Sequence, residues 1–156
     1  MVLFLVVSSN VFGAVFTRLG AAALLADALL AVPLPDLGRL VLVMALVFVL
    51  GWPFEWPVVI LVFMPTFLPV VEQLDLGLSR MELMIWFGVL VAVNLQTAFL
   101  SPPVAMSAYY LRNVMPQWPL ARIFRGMAEF MVIQLICLIV LILLPELALW
   151  LPRAMR

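Results

Sequence analysis

The chain has no histidine and no lysine, one cysteine, and few charges of either sign. Without histidine no Ser-His or Cys-His nucleophile pair can be assembled, and without lysine the Ser-Lys variant is closed as well. Cys137 stands alone in an apolar run, so neither a disulfide framework nor a Cys/His metal site can be built. P-loop, dinucleotide-binding and zinc signatures are absent. Glu55 and Glu129 remain as acid-base candidates, and nothing in their spacing brings them together. These absences argue against an enzyme and call for no cofactor. The eight basic residues, all arginine, are balanced by eight carboxylates and form no patch, which argues against a nucleic-acid partner.

What is present is apolar: 68% of the 156 residues are hydrophobic and 10% charged. That balance predicts an all-α, polytopic membrane protein with the lipid bilayer as its solvent, forming a single membrane domain over residues 1–156. Val2 to Phe16 is apolar and reaches the length of a span if the helix runs on to Ala23. Ser8, Ser9 and Asn10 within it read as helix–helix contacts. The run starts at Met1 without a positive n-region or a cleavage site, so it reads as a membrane helix over residues 1–23, with more sequence expected upstream. Gly20 to Val32 carries Asp27 and ends in P-L-P-D; it reads as an interfacial helix or partial re-entry, and residues 24–36 as a connector.

Residues 37–71 are apolar apart from a cluster of Gly51, Pro53, Glu55 and Pro57, which leaves arms at roughly 39–50 and 57–71. At about 1.5 Å per residue neither arm crosses a core of about 30 Å. The pattern predicts a re-entrant helical hairpin with G-W-P-F-E-W-P at its tip, where Glu55 at mid-depth would be a functional group in need of a partner. The competing reading is a helix that breaks at the surface, followed by a second short span, with Glu55 in headgroup water. Ser79 and Glu82 then form a capping-box pattern that opens the next helix. The loop 112–125 holds Arg112, Arg122 and Arg125 without an acid and is placed in the cytoplasm by the arginine bias. A last span follows over 123–150, bent or ended by Pro145. The five tryptophans lie mostly near segment ends, where interface anchoring accounts for them.

The helix over 81–111 carries the most informative stretch, N-L-Q-T-A-F-L-S-P-P-V-A-M-S-A-Y-Y. Asn94, Thr97 and Ser101 fall at i, i+3 and i+7, one face of a helix. Pro102 and Pro103 have no N–H to offer the carbonyls of Ala98 and Phe99. In hydrocarbon, unpaired backbone is tolerated only where it is buried in protein or lines a wet cavity. Secondary transporters build ion sites from such discontinuous helices. The donors here are all oxygen: the Ala98 and Phe99 carbonyls, the Thr97 and Ser101 hydroxyls, and the carbonyls of the tip at Gly51. That set suits a hard cation, and Na⁺ is expected at Ala98, Ser101 and Gly51, as a coupling ion rather than a cofactor. The half-helix restarting after Pro103 would point its N–H groups at the same place and meet a carboxylate. The alternative is a non-transporting structural or assembly membrane protein in which Pro102-Pro103 is only a kink. A channel is disfavoured, because rings of charge or a repeated filter are lacking.

The order G-W-P-F-E-W-P-V-V-I-L-V-F-M-P-T-F-L-P-V-V-E, then N-L-Q-T-A-F-L-S-P-P-V-A-M-S-A-Y-Y-L-R, with V-F-G-A-V-F-T-R-L-G upstream, resembles the C-terminal part of the large membrane subunit of TRAP transporters, the tripartite ATP-independent periplasmic uptake systems for organic acids. The resemblance implies one repeat of an elevator-type, Na⁺-coupled permease in the bacterial inner membrane. Its partners would be a periplasmic substrate-binding protein, a small membrane subunit and the N-terminal half of the large subunit, since two inverted repeats make a complete one. On this resemblance Glu55 falls at the acidic position after the hairpin glycine, and Ser101-Pro102-Pro103 on the family's Thr-Pro-Pro break. Ser101 keeps the hydroxyl of the more usual Thr. Ala105 stands where a Gly often follows the prolines, which would stiffen the second half-helix. Such a fragment or split half is not expected to transport alone.

Overall fold

Proline and glycine punctuate the chain into helices, and among the described residues there is no strand. The structure is a computed structural model that describes residues 2–54, 56–101 and 105–155. The helices are α1 (Val2–Arg18), α2 (Ala21–Ala31), α3 (Asp36–Leu50), α4 (Trp56–Val71), α5 (Arg80–Leu95), α6 (Met106–Val114), α7 (Leu120–Leu143) and α8 (Glu146–Ala154). A 3₁₀ turn, Gln96–Phe99, prolongs α5. Two of these stretches, Arg80–Phe99 with 20 residues and Leu120–Leu143 with 24, are long and apolar enough to cross a bilayer.

The breaks have identifiable causes. Gly20 adopts φ 74°, a left-handed turn that glycine takes without strain, so α1 stops at Arg18 and does not run on to residue 23. In α4, Pro65 cannot donate to Leu61, and the helix widens into a π-turn over Val59–Phe63, with the Met64 N–H bonded to the Val59 carbonyl. Pro145 divides the segment 123–150, ending α7 at Leu143 and leaving α8 as a separate short helix.

Leu40, Val43, Met44 and Val47 are buried at i, i+3, i+4 and i+7 along α3 and form the stripe that packs on α5. From α5 come Leu83, Trp86, Phe87, Leu90 and Val91. In the Arg80–Phe99 stretch 50% of the spanning window is buried, against 17% in α7, so α5 is the central helix and α7 the peripheral one. Phe130, Val132, Ile133, Ile136 and Ile139 of α7 are exposed. On the other side, α2 packs on Met64–Val71 and α1 on the π-turn.

Polar contacts tie the ends. The Asp75 N–H donates to Asp36 Oδ2 at 3.0 Å, and Asp36 also pairs with Arg39 at 2.7 Å. The foot of α3 and the exit of α4 therefore lie side by side. The Ser79–Glu82 capping box is formed in both directions, a contribution of about 1 kcal/mol. Glu82 and Glu146 both accept from Arg153, fastening α8 to the start of α5, and those hydrogen bonds, Glu82 first, hold the Arg153 guanidinium above its ordinary pKa.

Trp86 departs from the interface-anchor expectation. It is 1% exposed, and its indole N–H donates to the Leu141 carbonyl at 2.8 Å. Residue 145, four positions after Leu141, is proline and supplies no helical donor to that carbonyl. Trp52, Trp56 and Trp150 are exposed, as anchors would be.

Candidate ion site at the broken helix

The end of α5 gathers polar groups because its helix changes pitch. As α5 tightens into the 3₁₀ turn, its last carbonyls are met by side chains: Thr97 Oγ1 donates to the Asn94 carbonyl at 2.7 Å, and Gln134 Nε2 of α7 donates to the Val93 carbonyl at 3.1 Å and to Gln96 Oε1 at 2.7 Å. Asn94 Nδ2 donates across to the Met44 carbonyl of α3 at 2.8 Å. Asn94, Thr97 and Ser101 are each 1% exposed.

Asn94 Oδ1 and Ser101 Oγ are buried without a hydrogen-bond partner among the described residues. Each such group costs about 1–3 kcal/mol if left unpaired. Nor does any hydrogen bond among the described residues reach the Ala98 or Phe99 carbonyls. A hydroxyl, an amide oxygen and two backbone carbonyls without donors among the described residues form a hard, acceptor-rich set, of a kind that suits an alkali cation. Among the described residues no cluster of carboxylates, cysteines or histidines could hold a metal ion.

The tip between α3 and α4 reaches this cluster. Gly51 is buried, and a Cβ placed on it would sit 3.5 Å from Ala98 Cβ, 3.3 Å from the Phe48 carbonyl oxygen and 3.4 Å from that of Val47. Its φ of −64° is ordinary, so the glycine serves close approach and not an unusual backbone. Gly51→Ala is expected to shift unfolding of the detergent-solubilised chain by less than about 1 kcal/mol, and Gly51→Val to destabilise it by about 1–3 kcal/mol by driving the tip off Ala98. Thermal melts of the two variants check this.

Asn94, Thr97, Ala98 and Ser101 thus lie buried along one stretch, Ala98 of that stretch faces Gly51, and Phe99 is half-buried. Glu55, Pro102 and Pro103 lie outside the described residues. After the break, the Ala105 N–H donates to the Ser101 carbonyl at 2.9 Å and α6 begins at Met106. Ala105 is fully buried at φ 26°, a left-handed conformation that costs a residue with a Cβ about 1–2 kcal/mol. Gln134 and the Met44 carbonyl escaped the sequence reading. Gln134 is a lone amide in the more apolar of the two long helices, a signal for interhelical bonding that names no partner.

The family model described as "Tripartite ATP-independent periplasmic transporter, DctM component" matches residues 1–147. The chain is 23% identical over 153 residues to the sialic acid TRAP transporter permease protein of Haemophilus influenzae, covering 98% of this chain and 24% of that protein. It therefore spans about a quarter of the length of that relative. No solved structure matches it. With a family match over nearly its whole length, on an all-helical scaffold with two helices long enough to span a bilayer, the chain belongs to the DctM component family of tripartite ATP-independent periplasmic transporters, a family of membrane-embedded transport permeases and not of enzymes.

Proposed function

We propose that this chain is the ion-binding repeat of a Na⁺-coupled permease for organic acids in the bacterial inner membrane. The observation that carries the reading is that Asn94 Oδ1 and Ser101 Oγ are buried without a partner among the described residues, on the stretch whose Ala98 faces the Gly51 tip. Sodium bound along this stretch, drawing on these oxygens and on the carbonyls of Ala98 and Phe99, would fix the tip against α5 and order the adjoining anion site. Residues 36–75 act as a re-entrant hairpin: α3 has 15 residues, about 22 Å of helix, too little to cross a core of about 30 Å, and the Asp36–Asp75 hydrogen bond brings the two feet together. The hairpin and the Pro102-Pro103 break move as one body against the rest of the permease. Since the chain spans a quarter of its relative, it works with the remainder of a large subunit, a small membrane subunit and a periplasmic substrate-binding protein. The organic-acid class agrees with the acid named for that relative.

The test is uptake into proteoliposomes. The transporter assembled with its binding protein is expected to accumulate an organic acid under an inward Na⁺ gradient and not under a matched K⁺ gradient, whereas this chain alone accumulates none. Uptake by the assembled transporter that is equal in Na⁺ and K⁺ would refute the coupling. Na⁺-driven uptake by the chain alone would refute the division of labour.

A further inference from the structure

Beyond Leu100, α6, the loop before α7 and the first turns of α7 enclose an open cavity of about 340 Å³. Its walls include Leu100, Leu111, Trp118, Met127 and Phe130, all apolar. The exception is Arg122 at the rim. Arg122, Gly126 and Phe130 follow at i, i+4 and i+8, so the groove runs along one face of α7 for about 12 Å. The groove is open above Gly126, where an added Cβ would meet nothing within 4 Å.

The rim is cationic. The Arg122 guanidinium lies 5.5 Å from the centre of the Trp118 ring. Arg112 donates to the Trp118 carbonyl and pins the loop. Among the described residues Arg122 and Arg125 have no ion-pair partner, and no acid occurs between Leu111 and Ala128. The nearest acid in sequence is Glu129, exposed on the next turn. No side chain caps the start of α7, so the first-turn N–H groups add positive potential at the same end.

An apolar groove continuous with a cationic, tryptophan-bearing rim at the end of a membrane-spanning helix matches one ligand chemistry, an acyl chain attached to an anionic headgroup. We infer that the groove along Arg122, Gly126 and Phe130 is a binding site for an anionic phospholipid, with one acyl chain over Gly126 and the phosphate at Arg122 and Arg125. A free organic anion lacks the apolar part that would fill the cavity. A helix from elsewhere in the permease would bury Arg122 without supplying the negative charge.

Native mass spectrometry of the detergent-solubilised chain, titrated with phosphatidylglycerol or phosphatidylcholine, tests this. One phosphatidylglycerol per chain is expected to be retained at least tenfold more strongly than phosphatidylcholine. Arg122→Gln is expected to remove that preference, Arg122→Lys to keep most of it, Gly126→Leu to abolish retention of both lipids, and Arg18→Gln to change nothing. Equal retention of the two lipids overturns the proposal, as does selectivity that survives Arg122→Gln or displacement of the lipid by millimolar succinate. If Gly126→Leu fails to fold, the two Arg122 variants, which leave the groove floor intact, still decide the matter.

Discussion

Ser101→Ala is expected to leave the sodium-free permease as stable as wild type, or more stable by about 1 kcal/mol, while removing most of its stabilisation by sodium. The two halves of this result have separate origins. The Ser101 hydroxyl is buried without a partner among the described residues, so deleting it relieves a desolvation cost on the order of 1 kcal/mol and leaves a space of one oxygen atom. If that oxygen is a ligand, its loss weakens sodium binding by roughly 10- to 100-fold, the range seen when a metal site loses a supporting group. Sodium at 100 times its dissociation constant stabilises the folded state by about 2.7 kcal/mol; after a 100-fold weakening the same concentration supplies only about 0.4 kcal/mol. Asn94→Leu carries the test to the other oxygen. It removes Oδ1 together with the Nδ2 bond to the Met44 carbonyl, so its sodium-free stability should fall by about 1 kcal/mol as the sodium response disappears. Thermal unfolding of the assembled permease in NaCl against choline chloride reads both variants. A sodium response intact in both would move the ion elsewhere.

The sequence makes the punctuation of this fold legible and its pairing obscure. Gly51, Pro145 and the Ser79–Glu82 box act on their own neighbours within a turn, so their effects can be read locally, and α3, α4 and α5 begin close to where the pattern places them. The spacing of Asn94, Thr97 and Ser101 likewise puts them on one face without tertiary information. What cannot be read this way are contacts between residues 40 to 55 positions apart: Asn94 with Met44, Gln134 with Val93, Trp86 with Leu141. In a soluble helix the apolar stripe reveals the buried face. In this chain lipid-facing and protein-facing positions are both apolar, so that Ile133 of α7 and Leu90 of α5 look alike in sequence although one is 61% exposed and the other fully buried. Trp86 shows the consequence, since a tryptophan near a segment end is equally consistent with an interface anchor and a core residue.

Trp86 is also where the largest loss of stability is expected. Trp86→Ala should destabilise the chain by about 3–5 kcal/mol, the usual cost of emptying a buried indole site. Size alone does not account for its role, because the indole N–H stands in for a backbone donor that Pro145 cannot supply. Trp86→Phe separates the two contributions: it retains a ring in the core but leaves the Leu141 carbonyl unpaired, for an expected loss of about 1–3 kcal/mol. Pro145→Ala restores an N–H four residues beyond Leu141 and allows α7 to continue toward α8. If the indole substitutes for that missing donor, Trp86→Phe should cost at least about 0.5 kcal/mol less in the Pro145→Ala background than in the wild type, a coupling within the range of neighbouring residues that share a partner. Denaturant or thermal unfolding of the four proteins of this cycle supplies the number. Equal costs in the two backgrounds would mean that Trp86 holds α5 to α7 through ring packing alone, and that the carbonyl freed by Pro145 finds another donor.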